Sequence, residues 1–259
     1  MESDAAVVAA ERQLVQAAAT VLGIPLSEPQ IDQLFHFRAV LLDWNTRMNL
    51  TAITEPHAVL TRHIIDTLTC LSVCDLPQRD KQLRLVDIGS GAGIPGLVLA
   101  IVKPEWQIAS LEATLKKVRF QEAVIAELGL TNATVTNGRA EMLANDGAWR
   151  GQFAVVTARA LAAMPTLLEW CQPFAAVGGM IIAPKKGDIG PELAQGSRAA
   201  HILGGGPIEA LPLPAALAAL VPDLADGRVI ARVRQRKPTL PRYPRAGAAP
   251  VKTPLGGEE

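Results

Sequence analysis

Leu83-Arg84-Leu85-Val86-Asp87-Ile88-Gly89-Ser90-Gly91-Ala92-Gly93-Ile94-Pro95-Gly96 is the stretch that decides the fold. Its first six residues read as a strand buried on both faces, and the remainder as a glycine-rich turn that opens a helix. In an open α/β sheet this turn, just beyond the carboxyl end of a strand, is where nucleotide-like ligands bind. Small residues are needed because the ligand passes within contact distance of the backbone, where a Cβ would clash. Working outward, strands are predicted over Leu83–Ile88, Gln107–Leu111, Ala133–Thr136, Phe153–Thr157, Met180–Ala183 and Val229–Val233. Helices are predicted between them over Pro95–Val102, Leu115–Leu128, Met164–Ala175 and Pro191–Leu203. Apolar strands separated by amphipathic helices indicate an α/β protein with a mostly parallel sheet and helices on both faces. Gly204–Pro222, rich in glycine, proline and alanine, fits a loop, a weak strand or both.

Upstream the chain reads as helices. Ala5–Leu22 ends at Gly23, and Ser27-Glu28-Pro29-Gln30 has the form of a capping box. A third start follows at Thr54-Glu55-Pro56, with Thr54 as the expected cap. A polar break at Pro77–Gln82 divides this helical extension (1–78) from an α/β core (79–237). From Pro238 the prolines at 238, 241, 244, 250 and 254 predict an unpacked basic tail (238–259).

With 259 residues, 49% of them hydrophobic, the chain can bury about 70–75% of its unfolded surface, which excludes disorder as the default. No run of apolar residues is long enough to span a membrane, and the acidic start does not resemble a secretory leader. Three cysteines (Cys70, Cys74, Cys171) form neither a disulfide framework nor a paired metal motif, so a cytoplasmic protein without metal is expected. The formal net charge of zero hides an asymmetry: residues 1–227 carry −6, whereas 228–252 carry eight basic residues and no acid. A basic segment on a mildly acidic body suits contact with a polyanion, and a solvated tail would look the same.

Two ligands compete for the glycine turn. Gly91-Ala92-Gly93-Ile94-Pro95-Gly96 satisfies the dinucleotide pattern G-x-G-x-x-G. The whole string is better described as Asp-x-Gly-x-Gly-x-Gly, and a carboxylate at Asp87 would oppose a diphosphate seated on the helix start. S-adenosylmethionine has no phosphate and carries an ammonium that an acid would favour, so Asp87 tips the reading toward a methyl donor. Glu112, at the end of the second strand, is placed to accept hydrogen bonds from ribose hydroxyls, a device both ligands share.

From Leu41 to Leu255 the chain resembles the RsmG family, also called GidB. The resemblance rests on Trp44-Asn45-x-x-x-Asn49-Leu50-Thr51, Arg62-His63-x-x-Asp66, the glycine turn itself and Lys117-x-Arg119-Phe120. It continues through Gly138-Arg139-Ala140-Glu141, Ala158-Arg159-Ala160, Lys185-x-Gly187 and Tyr243-Pro244-Arg245 with Pro254. Thr157 and Ile94 depart from the family's usual serine and leucine. The resemblance implies a class I, Rossmann-like methyltransferase fold with a seven-stranded sheet and an N-terminal helical extension. It also implies transfer of a methyl group from S-adenosylmethionine to N7 of a guanine in 16S ribosomal RNA, guanine 527 in the usual numbering. To Asp87, Gly91, Gly93 and Glu112, expected at the cofactor from the reading above, the resemblance adds Gly89, Ile94, Ala140, Glu141 and Arg159, the last also a candidate for positioning the target base and expected to pair with a carboxylate or phosphate.

No nucleophile–base pair stands out, which fits a reaction at N7, where the lone pair carries no proton. Arg62 and Asp66, one helical turn apart, are expected to pair. For the RNA partner, bare or in the small subunit, the expected contacts are Lys185 and Lys186 after the fifth strand. Arg232, Arg234 and Arg236 would line one face of an extended strand, followed by Lys237, Arg242 and Arg245. A monomer is expected. The rival readings are an NAD-dependent oxidoreductase, a small-molecule methyltransferase and a non-catalytic RNA-binding module.

Overall fold

The computed structural model describes residues 2–75 and 83–257; the predicted break at 77–82, and the boundary within it, lie outside the described residues. The strands are β1 (Arg84–Ile88), β2 (Gln107–Glu112), β3 (Ala133–Asn137), β4 (Phe153–Thr157), β5 (Ala175–Lys186), β6 (Gly205–Pro212) and β7 (Arg228–Gln235). They form one sheet in the order β3-β2-β1-β4-β5-β7-β6. β1 to β5 are parallel, and β7 runs antiparallel to both β5 and β6. This is the class I methyltransferase topology that the resemblance implies.

The helices are α1 (Glu2–Val21), α2 (Glu28–Met48), α3 (Pro56–Val59), α4 (Asp66–Ser72), α5 (Gly96–Val102), α6 (Leu115–Leu128), α7 (Ala140–Leu143), α8 (Met164–Cys171), α9 (Gly190–Ile202), α10 (Ala215–Leu220) and α11 (Ala249–Lys252). Side-chain alternation along the strands feeds two cores. Leu85, Met180 and Ile182 join Phe37, Leu41, Ile64, Leu97 and Phe120 under α1, α2, α5 and α6. Val86, Ile181 and Ala183 join Leu167, Phe174 and Leu203 under α8 and α9. Each fully buried Leu, Ile or Phe contributes roughly 1.5–3 kcal/mol, so the N-terminal helices are part of the main core. Gln30 shows how they attach: its Oε1 accepts the Ser27 N–H at 2.9 Å, while its Nε2 donates to the Ile101 and Val102 carbonyls ending α5.

Four local expectations are corrected. The third helical start is capped by Glu55, not Thr54: Pro56 occupies the first helical position, and the Glu55 carboxylate accepts the His57 and Ala58 N–H groups. Between α3 and α4 the chain widens into a π-helix, Leu60–Ile65. The helix predicted over Met164–Ala175 stops at Cys171, followed by a short 3-10 turn that contains Pro173. Gly204–Pro222, open between loop and strand in the sequence and so no correction, resolves into β6 and α10.

The fourth correction concerns the C-terminal segment, which packs despite its prolines. The Arg150 guanidinium donates to four carbonyls, those of Ala144, Thr239, Leu240 and Tyr243. Thr166 Oγ1 donates to the Pro250 carbonyl at 2.7 Å, and Tyr243 and Pro250 are buried. Glu169, fully buried on α8, accepts the Arg245 backbone N–H and side-chain Nε and Nη2 at 2.8, 2.9 and 2.7 Å. Hydrogen bonds from backbone and side chains here do the holding that apolar burial does elsewhere. Arg245→Ala strands that carboxylate and is expected to cost about 2–4 kcal/mol in urea unfolding, whereas Arg242→Ala on the exposed surface should stay within about 0.5 kcal/mol. Equal small losses would show that the segment is not held by this pair.

Candidate active site

The carboxyl ends of β1 to β5 share one edge of the sheet, and two adjoining cavities open there. The first, ≈ 330 Å³, is lined among others by Gly89, Glu112, Gly138, Ala140, Glu141 and Trp170. Its shape follows from the turn after β1. Gly93 has φ +73°, and a Cβ there would lie 2.5 Å from Leu97 Cδ1. At Gly96 a Cβ would lie 2.8 Å from Ser110 Oγ, so glycine lets α5 start directly against the sheet.

Six backbone amides of this turn are already in use. Gly89 and Ser90 donate to the Leu111 carbonyl, and Gly93 and Ile94 to that of Ser90. Gly91 donates to Glu112 Oε2 and Gly96 to Asp87 Oδ2, each at 2.9 Å. A diphosphate would find these donors occupied, two of them by carboxylates. This replaces the expected role of Asp87. Its side chain is fully buried and does not face the cavity: Oδ2 takes the Gly96 amide and Oδ1 the Thr157 hydroxyl at 3.0 Å. Asp87 thus selects against phosphate by consuming the helix start rather than by attracting an ammonium.

The remaining residues expected to hold the cofactor divide. Gly89, Glu112, Ala140 and Glu141 line the first cavity, and Arg139 Nε holds Glu141 at 2.6 Å. Glu112 accepts the Gly91 and Thr114 N–H groups, one on each oxygen, and each oxygen keeps a second lone pair for a ribose hydroxyl. A cavity with such an acceptor and no open phosphate cradle fits the nucleoside end of S-adenosylmethionine. Gly91 and Gly93 shape the turn without lining the cavity, and Ile94, 5% exposed, is core. Gln121 was missed. It sits on the buried stripe of α6 with Val118 and Val124, and its Nε2 pins Ser90 Oγ at 2.8 Å and the Gly91 carbonyl at 2.9 Å. A glutamine on an apolar stripe was the available signal.

Arg159 lines the second cavity, ≈ 400 Å³, with His63, Asp66, Lys185, Lys186 and Arg228 among its neighbours. It is paired, as expected, but with a partner far away in the chain: Nη1 reaches Asp66 Oδ2 at 3.2 Å, while Arg228 Nη1 reaches Asp66 Oδ1 at 2.7 Å. Arg62 does not pair with Asp66, because the π-helix winds wider than the α-helix on which the i,i+4 expectation rests; it reaches Asp223 at 3.5 Å. The Trp44–Thr51 motif supports this cluster from behind. Asn45 Oδ1 accepts the Leu50 and Thr51 N–H groups, and Thr51 Oγ1 lies 2.8 Å from His63 Nε2. Arg159 Nη2 lies 2.9 Å from His63 Nδ1, which is also 3.1 Å from the Arg62 carbonyl.

The proposed RNA contacts fall on opposite edges. β7 is antiparallel, with Lys186 opposite Arg228 and Met180 opposite Arg234. From Arg228 the strand therefore runs away from the cavities, and Arg234 lies ~20 Å from that edge. Arg232 is held by Glu209 and Asp75, Arg234 by Asp75 and Arg245 by Glu169; Arg236, Lys237 and Arg242 are exposed on the far side. At the near edge Lys185 is tied to Glu192 at 2.5 Å, and Lys186 is exposed. Arg228 is the cation that sequence reading overlooked. Among the described residues no group of three or more His, Cys, Asp or Glu could hold a metal ion, and no helix is long and apolar enough to cross a membrane.

Two buried groups here respond to acid in opposite senses. Burial, aided by the Arg159 charge, lowers the His63 pKa from 6.5 to about 4. Unfolded chains bind that proton first, so the His63 contribution is intact above pH 6.5 and fades toward pH 4. Burial raises the Asp87 pKa from 3.8 to about 6, so its contribution grows as pH falls through that range. His63→Gln removes the first arm alone. Its unfolding free energy is expected to drop less than that of the wild type between about pH 7 and pH 5, and parallel curves would contradict this.

Comparison with known proteins shows the family. The family model for rRNA small subunit methyltransferase G (GidB) matches residues 30–209. The chain is 41% identical over 234 residues to the ribosomal RNA small subunit methyltransferase G of Roseiflexus sp. (strain RS-1), covering 90% of this chain and 95% of that one. It is 35% identical over 244 residues to the protein of the same name from Acetivibrio thermocellus, covering 94% and 96%. Among solved structures, the precorrin-6y C5,15-methyltransferase from Geobacter metallireducens overlaps 65% of this chain and 87% of its own at 14% identity and a TM-score of 0.47. Matched along nearly its whole length by such relatives, the chain belongs to the rRNA small subunit methyltransferase G (GidB) family.

Proposed function

We propose that this protein transfers a methyl group from S-adenosylmethionine to N7 of a guanine in 16S ribosomal RNA, guanine 527 as the family implies, in the cytoplasm. The observation that carries the reading is the first cavity. It offers Glu112 to a ribose and has its turn amides closed to phosphate, and it meets a cation-lined second cavity at Ala160. When bound, S-adenosylmethionine supplies a methyl on a sulfonium; the N7 lone pair forms the N–C bond as the C–S pair returns to sulfur.

The chain's own work is alignment and exclusion of water. Gly89 presents its backbone to the cofactor, Glu112 fixes the ribose, and Ala140 and Glu141 wall the adenine side. Because N7 bears no proton, no side chain must accept one. The RNA lies across the near edge, over Lys186. Arg236, Lys237 and Arg242 are too far away to touch the reacting nucleotide. An NAD-dependent oxidoreductase would need donors for a diphosphate, and the amides best placed to supply them are taken.

Labelled methyl donor incubated with unmethylated small subunits is expected to mark one guanine, and nuclease mapping would identify it. Glu112→Gln should weaken donor binding by about tenfold, equivalent to about 1.4 kcal/mol, with the fold retained. NAD titration should give no binding. Label absent from the RNA, or NAD displacing the donor, would overturn the proposal.

A further inference from the structure

The second cavity shares Ala160 with the first, and Ala160 has φ +52°, the left-handed region that an alanine rarely adopts. We infer that this cavity receives the target nucleotide, with its base between Ile53 and Pro184 and N7 turned toward Ala160. Its backbone phosphate lies on Arg62 and Lys186, and Asp66 is the positioning residue that holds Arg159 and Arg228 in the floor. This rests on the methyl-transfer reading above and assigns the acceptor side to the N-terminal helical extension, whose α2–α3 loop supplies Ile53 and whose helices supply Arg62, His63 and Asp66.

Charge points to the ligand. Five cationic side chains and one carboxylate line the cavity. The carboxylate, Asp66, is 2% exposed and spends one oxygen on Arg159 and the other on Arg228. Lys185 is neutralised by Glu192. That leaves exposed Lys186, which meets no carboxylate among the described residues, and Arg62, whose contact with Asp223 is long at 3.5 Å. Two cations with spare capacity at the rim call for an anion, and the methyl donor has no phosphate to offer. A phosphodiester of the acceptor does.

The floor is built for the opposite end of the nucleotide. Transfer leaves a positive charge on the base, which bare guanidiniums would repel. Here Arg159 and Arg228 share one buried carboxylate, and the adjacent His63, 7% exposed, meets Arg159 as a neutral ring. The π-helix makes this possible. A rare, wide turn of six residues sends Arg62 to the rim while His63 and Asp66 stay buried, and such turns concentrate at functional sites.

The test uses the full chain with unmethylated small subunits and labelled donor. Lys186→Gln and Arg62→Gln are each expected to raise KM for subunits about 5–10-fold with kcat within about twofold, as for loss of a phosphate contact. Donor affinity should not change. The log–log salt slope of subunit binding should fall by about 0.7–0.9 for each variant. Asp66→Asn should lower kcat about tenfold or more; if it proves unstable, Arg228→Gln, at the cavity rather than in the core, takes its place. Wild-type KM and salt slope in the Lys186, Arg62 double variant would overturn the assignment. Guanosine monophosphate titrated by NMR separates this from the parent reading. Shifts that both rim variants weaken would support the cavity even if wild type methylates no RNA, and shifts indifferent to both variants, or none, would overturn it.

Discussion

Everything at the cavity edge of the sheet depends on a carboxylate that does not face the cavity. Asp87 lies fully buried at the end of β1, joined to the first amide of α5 and to the Thr157 hydroxyl of β4. Burying a carboxylate is costly, and its raised pKa records that cost. The two hydrogen bonds offset part of it and tie three elements, β1, β4 and α5, at the point where the chain must turn back over the sheet. With Glu112 taking the Gly91 amide, the turn is held by two acids where a dinucleotide site would leave open N–H groups. The same glycine spacing thus gives a different ligand, because the partners of the amides decide and not the glycines.

A second carboxylate does for the second cavity what Asp87 does for the first. Asp66 joins α4 to the exits of β4 and the entry of β7 through Arg159 and Arg228. The Asn45–Thr51–His63 chain of hydrogen bonds continues it to the end of α2. Removing any one member leaves a buried polar group without its partner, which costs more than the bond itself contributed. Motifs that looked like separate fragments in the sequence, around Trp44, Arg62 and Arg159, therefore converge on one cluster.

How much of this was legible follows from the range of each interaction. The α6 bounds, Leu115–Leu128, were read as they stand because cap, stripe and terminal glycine are local signals. The first five strands were found in place by their apolar residues, although β5 runs from Ala175 to Lys186 where only Met180–Ala183 was read. β6 was not: Gly205–Pro212 has glycines, prolines and a glutamate where a buried strand would have branched apolar residues, and it lies at the sheet edge, where half the pairing suffices. Missing β6 hid the reversal at β7, and with it the direction in which the arginines run. The role of Asp87 was misread in detail, since a sequence shows which residue is an acid but not which way it points.

The basic C-terminal stretch shows why charge counted along a chain is a poor map of charge in space. Arg228, Arg232, Arg234 and Arg245 each meet a carboxylate, respectively Asp66, Glu209, Asp75 and Glu169. All four acids lie outside the stretch, so no window along the sequence could balance them. Glu209 faces Arg232 only because β6 and β7 pair in that register, and Asp75 arrives from the end of the helical segment. A cation held at 2.5–2.7 Å by a protein carboxylate must give up that bond to take a phosphate, and the exchange returns little. The field that an approaching RNA meets at the reacting edge is accordingly set by a few side chains that fold-back leaves unmatched, with Lys186 foremost, and not by the run that dominates the composition.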